Sequence, residues 1–298
     1  MRYVVGYTAT ERGRDAVNLA AVIARTQGAE LDLVMVDPEH SPYTVVYPPE
    51  SGYRDLLEEQ LETWLREGLD LVPGSVPAAG HIRNADSDAH GLIDAAEELG
   101  AGLIVVGAAS NGIFKRFTIG SVANALLHAA PVPVALAPHG YSRTAPLTRI
   151  TCAVGNRRGA NDVLEAAVDT AARSGLPLRL VSLVALDAPS RDENAVTEAR
   201  MHADDRLARA QQLAAGRCPV TAVVVQGRTI ENAIDELEFD DGEVMLIGSS
   251  RLAGNNRLFL GATASKILRS LPVPMVVVPR NFRGSTTGTA PSQSEVTE

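Results

Sequence analysis

The sequence predicts two α/β domains, each a doubly wound parallel sheet of five strands, folded against each other within one chain. Three observations carry that expectation. The stretch "GSVANALLHAAPVPVALAP" from Gly120 to Pro138 returns as "GATASKILRSLPVPMVVVP" from Gly261 to Pro279, with Gly120, Ala123, Leu127, Pro131, Pro133 and Pro138 recurring 141 positions on. Short apolar runs alternate with amphipathic ones along both halves. Hydrophobic residues make up 45% of the 298 and aromatics only 4%, so the cores must be built from Val, Leu, Ile and Ala.

The elements follow in order. "YVVGYT" (3–8) reads as a strand, residues 12–27 as a helix, "ELDLVMVD" (30–37) as a strand and "DLLEEQLETWLREGL" (55–69) as a helix. "VPAAGHIRN" (76–84) and "GLIVVG" (102–107) flank the helical "SDAHGLIDAAEELG" (87–100); a helix opened by Gly120 and the strand "PVPVALAP" (131–138) complete the unit. Strands that are nearly all apolar, with helices between them, belong in a parallel sheet covered on both faces. The second half repeats the order with "RITCAVG" (149–155), a helix from about 158, "LPLRLVSLVALD" (176–187), a helix across 192–215, "PVTAVVVQG" (219–227), "TIENAIDELE" (229–238), "VMLIG" (244–248) and the final helix and strand. Asp15, Ala20, Gly28, Leu31 and Leu33 match Asp162, Ala167, Gly175, Leu178 and Leu180 at an offset of 147. The expected domains are 1–141 and 147–281, joined by "HGYSRTAPL", with 282–298 a disordered tail that has almost nothing to bury.

Composition narrows the function. A formal charge of -9, without a local Lys/Arg cluster, argues against nucleic acid as a partner. No run reaches the length of a membrane span and no signal-like opening is present, so the expected location is the cytoplasm. Cys152 and Cys218 lie in strand-like runs without metal or redox spacing, and read as small buried residues. The six histidines show no metal-ligand spacing, and His128, seven residues after Ser121, has no acid that would make a catalytic set. Trp64, with Leu57, Leu61 and Leu65 at helical spacing, reads as core or interface.

The chemistry-bearing stretches are "VVGAASNGIFKRFTIGSV" and "LIGSSRLAGNNRLFLGAT". In each, a strand ends at a Gly, a loop of about a dozen residues follows, and a helix starts at a second Gly. Such a turn lets backbone approach a ligand while the first N–H groups of the helix point at it. With the duplication, "AAEELGAGLIVVG" and the "GSVANALLHAAPVPV" ending, the chain resembles the universal stress protein family in its tandem, Rossmann-like form, over residues 2–281. The resemblance implies a stress-response protein that works by binding adenine nucleotide, a protein partner or both. No enzyme activity is implied, and a slow ATP hydrolase is the rival from another class.

ATP-binding members share G-x2-G-x9-G-[ST] and an Asp after the first strand. Here the first half carries Gly107, Ser110 for the second Gly, Gly120 and Ser121; the second carries Gly248, Arg251, Gly261 and Ala262, with Thr263 adjacent. Thr8 and Gly155 take the place of the Asp. The first half is therefore the expected site for ATP, against Thr8, Val36, Gly107, Ser110, Gly120 and Ser121, and a scaffold that has lost the nucleotide is the alternative. Lys115 and Arg116 lie on the same loop. The internal proline of "PVPV" suits an edge strand. In the family the final strands of two domains pair antiparallel, so the two copies are expected to cover each other's edge as an intramolecular pseudo-dimer, with a further homodimer left open.

Overall fold

Local chemistry sets the element boundaries. In the computed structural model, which describes residues 1–38, 51–109, 119–155, 160–185, 193–249, 258–280 and 282, strand β1 (Arg2–Gly6) leads to helix α1 (Glu11–Gln27). Thr10 caps α1, its side chain accepting from the Gly13 N–H, and Gly28 ends the helix with φ of 65°. Gly175, after α5 (Ala160–Ser174), repeats that stop with φ of 67°. The first half continues through β2 (Glu30–Pro38), α2 (Ser51–Asp70), β3 (Ala78–Ala85), α3 (Asp88–Glu98), β4 (Ile104–Gly107), α4 (Ser121–Ala129) and β5 (Val134–Ala137). The second comprises β6 (Arg149–Ala153), α5, β7 (Leu178–Ala185), α6 (Glu193–Ala214), β8 (Val220–Gly227), α7 (Ile230–Asp235), β9 (Glu243–Gly248), α8 (Ala262–Ser270) and β10 (Met275–Val278).

The ten strands form one sheet in the order β3-β2-β1-β4-β5-β10-β9-β6-β7-β8. Pairing is parallel within each half and antiparallel at the centre, where Met275, Val276 and Val277 face Leu136, Ala135 and Val134. The expected five-stranded units and their edge-to-edge pairing are both present. Pro133 and Pro274 stand just before β5 and β10, so neither removes a donor from the central ladder. Their carbonyls accept from the N–H groups of Ile104 and Met245.

Helices α1, α2, α5 and α6 cover one face of the sheet, and α3, α4, α7 and α8 the other. Both resulting cores draw on both halves: Val5, Leu33 and Ala135 share one with Ile150 and Leu180, while Val4 and Leu136 share the other with Met245 and Met275. Leu61 and Leu65 are buried and Trp64 packs against the first core, as the helical spacing predicts. Contacts beyond the sheet bind the halves further. Leu258 N–H donates to the Ala130 carbonyl at 2.9 Å and Leu260 N–H to that of Leu127 at 3.0 Å, while Phe259 meets the edge of His128. The connector lies along α1, with Gly140 N–H donating to Asp15 at 2.9 Å and Asn18 to the Tyr141 carbonyl at 2.9 Å. Phe282 packs against the core, and residues 283–298 lie outside the described part of the chain.

Candidate functional site

In a doubly wound sheet the ligand crevice opens at the carboxyl ends of the strands, where successive connections leave in opposite directions. In the first half this is the edge made by β1, β2 and β4. Two close approaches shape it. A Cβ on Gly13 would stand 1.9 Å from the Thr8 carbonyl oxygen, and one on Gly107 would stand 2.2 Å from that of Arg12. Only glycine lets the first turn of α1 settle this tightly against the ends of β1 and β4.

The first cleft encloses about 130 Å³ and is lined by Thr8, Val36 and Gly107 among the expected residues. Thr8 is exposed, and its hydroxyl shares a 2.9 Å hydrogen bond with that of Thr10, where a carboxylate would have offered two acceptors. Gly120 caps α4 with extended backbone and no side-chain partner. Ser121 is the exposed first residue of that helix and is not part of the cleft wall. Ser110, Gly112, Lys115 and Arg116 lie outside the described residues.

Three residues outside the motif line this cleft. Tyr7 is 3% exposed and sits where Gly68 of α2 leaves room, a Cβ there falling 2.6 Å from its ring. Burial pushes the Tyr7 phenol up, with Glu67 adding and Arg14 opposing. Arg12 crosses towards α4, its Nη1 3.3 Å from where a Gly120 Cβ would be. Asp88, in the first turn of α3, adds a carboxylate to the wall. No spacing signal marks them; Arg12 and Asp88 look in the sequence like ordinary first-turn helix residues.

The second cleft is larger, about 310 Å³, at the ends of β6, β7 and β9. Several lining positions differ. Val154 stands where the first half has Tyr7, Gly155 where it has Thr8, and Ile230 where it has Asp88. Gly248, Gly261 and Thr263 bring the end of β9 and the start of α8 to one wall. Ser249 fixes the ends of the connection between them: its hydroxyl accepts from Phe259 N–H at 2.8 Å and its own N–H donates to the Val278 carbonyl at 2.8 Å. Arg251 lies outside the described residues. Arg206 of α6 reaches the opposite wall, and its Nε is buried without a hydrogen-bond partner. In the register that aligns Leu207 with Leu65, Arg206 replaces Trp64.

Among the described residues, no cluster of His, Cys, Asp or Glu has the makings of a metal site. Both cysteines are free, and burial pushes the Cys152 thiol up to about 12. Among the described residues, no helix is long and apolar enough to cross a membrane.

Comparison with known proteins accounts for the duplication. The profile of the Universal stress protein family matches twice, over residues 1–138 and 146–279. A universal stress protein of Mycobacterium tuberculosis is 31% identical over 291 residues, covering 94% of this chain and 100% of the relative. A relative of the same description from Mycobacterium bovis matches to the same extent. Among solved structures, a universal stress protein from Archaeoglobus fulgidus superposes with a TM-score of 0.67 at 20% identity, covering 93% of this chain and 98% of the other. A putative universal stress protein from Pseudomonas aeruginosa gives 0.57 at 20% identity, over 94% and 93% of the two chains. With two family units and two Rossmann-like α/β halves sharing one sheet, the chain belongs to the universal stress protein family in its tandem form.

Proposed function

We propose that the chain is a nucleotide-binding stress protein that acts through ligand occupancy and partner contact, with no reaction of its own. The observation that carries this reading is the second cleft. It lies at the strand ends where doubly wound sheets hold ligands, and two glycines there bring a strand end and the uncapped start of α8 to one wall. Thr263 supplies a hydroxyl beside them. Nucleotide phosphate at that wall, with the base over the apolar Val181 and Leu183 of β7, is the arrangement the cleft supports.

The motif alone ranks the first half ahead; open volume runs the other way, about 130 against 310 Å³. We therefore assign nucleotide chiefly to the second half. The smaller volume favours the scaffold role for the first half, or binding of a smaller anionic group beside Arg12. A cytosolic location accords with two free cysteines.

Calorimetric titration of the full chain with ATP tests the assignment. Gly261→Val sets a branched side chain at the start of α8 and is expected to weaken binding by at least about tenfold, roughly one lost charge-assisted hydrogen bond. Gly120→Val is expected to change it little. The reverse pattern would return the site to the first half, and absence of binding by the unmodified chain would leave the scaffold role.

A further inference from the structure

The two ends of the second cleft differ in chemistry. Strands β9, β6 and β7 are consecutive neighbours, so β9 and β7 lie about 10 Å apart at roughly 4.8 Å per strand. Gly248, Gly261 and Thr263 occupy the β9 end, while Ser182, Leu183 and Arg206 occupy the β7 end. A nucleotide with its phosphate at the glycines therefore directs its base towards Arg206.

We propose that Arg206 makes the second cleft selective for a purine whose edge offers hydrogen-bond acceptors, a 6-oxopurine nucleotide of the guanine type, over an adenine nucleotide. This rests on the nucleotide reading above. A guanidinium has donors and no acceptor. The O6 and N7 atoms of guanine accept side by side and match its fork, whereas adenine puts an amino donor at position 6. Arg206 lines the cleft and its Nε makes no hydrogen bond, so the guanidinium is not committed to a partner in the free protein and can turn its donors to an acceptor arriving with the ligand.

The neighbouring positions fit the same selection. Ile230 stands where the first half has Asp88, so this wall has no carboxylate at that position to pair with Arg206 or to accept from an adenine amino group. Val181 and Leu183 of β7 form an apolar surface for a planar base. The first half has Trp64 in place of Arg206, and carries no corresponding preference.

Parallel titration of the full chain with GTP and with ATP, at equal magnesium, tests this. GTP is expected to bind about tenfold or more tightly than ATP, the ratio that one charge-assisted hydrogen bond supplies. Arg206→Leu is expected to bring the GTP to ATP affinity ratio down to about one, whatever it does to the absolute affinity of either nucleotide. Arg206→Lys keeps the charge without the fork and is expected to give an intermediate ratio, which serves as the check if the leucine variant folds poorly. Equal affinities in the unmodified chain, or a preference that survives both substitutions, overturns the role of Arg206 and leaves nucleotide binding standing. Binding of neither nucleotide overturns the nucleotide reading and this selectivity with it.

Discussion

Individual buried charges show how far the two halves have diverged under one fold. In the first half Asp32 of β2, fully buried, takes both Nε and Nη2 of Arg2, at 2.9 and 2.7 Å, with His81 Nε2 at 2.9 Å. In the second half the position of Asp32 is Arg179, and the acid has moved to Glu243 of β9, which takes Arg149 and Arg179 at 2.6 Å each as well as the Thr151 hydroxyl. Each arrangement keeps a buried carboxylate fully paired, the condition for burying one at all. Asp15 is different. It is 5% exposed, and burial raises its pKa, an effect that the Gly140 N–H and His139 only partly offset. A carboxyl raised in the folded state favours the protonated fold, so its stabilising contribution is complete below the ordinary Asp value of about 3.9 and is lost as pH rises through the raised value. Asp15→Asn keeps an acceptor for Gly140 and does not titrate. Its stability relative to the unmodified chain is expected to increase from about pH 4 to neutrality. Urea unfolding at several pH values reads that difference directly, and a difference that shrinks over the window would show that Asp15 is held as a favoured anion.

At the scale of elements, glycine positions separate packing from ligand access. A Cβ on Gly107 would collide with the Arg12 carbonyl at 2.2 Å, which is backbone at the start of α1 and has nowhere to go. The nearest atom to a Gly120 Cβ is the Arg12 guanidinium at 3.3 Å, the far end of a flexible chain. Gly107→Ala is accordingly expected to cost about 1–3 kcal/mol, as overpacking does, and Gly120→Ala to change stability by less than about 0.5 kcal/mol. Equal losses in denaturant midpoint would mean that the start of α4 is packed as rigidly as the end of β4. The same contrast explains what could be read in advance. The hydrophobic period gave α1 and β2 closely, 12–27 and 30–37 against Glu11–Gln27 and Glu30–Pro38, while the apolar run 3–8 overshoots β1, which ends at Gly6. The central pairing of β5 and β10 is implied by the family resemblance, with the repeat supplying two copies of the final strand. The rest of each lining stayed hidden, since Arg12, Asp88 and Arg206 come from outside the glycine motif and reach it only in three dimensions. A motif records where backbone approaches a ligand; it does not record which neighbouring side chains fill the space.

The whole molecule behaves, on this architecture, as one cooperative unit although its sequence holds two. The central strands present Val134, Leu136, Met275 and Val277 to one core and Ala135, Ala137, Val276 and Val278 to the other, so both cores run without a break across the join. Separating the halves would expose that strip together with two unpaired strand edges, a state with strong tendencies to aggregate. It would also break the hydrogen bonds from Leu258 and Leu260 to the end of α4. Unfolding of one half therefore removes a wall of each core of the other, and calorimetry is expected to show a single transition whose van't Hoff and calorimetric enthalpies agree. Leu136, 1% exposed and paired with Met275, is the sensitive probe. Leu136→Ala is expected to cost about 2–5 kcal/mol and to move the entire transition down in temperature, although the substitution lies only in the first half. Two transitions in the variant, with the later one at the temperature of the unmodified chain, would show instead that the second half stands alone. The duplicated ending would then be a shared ancestry of sequence without a shared core.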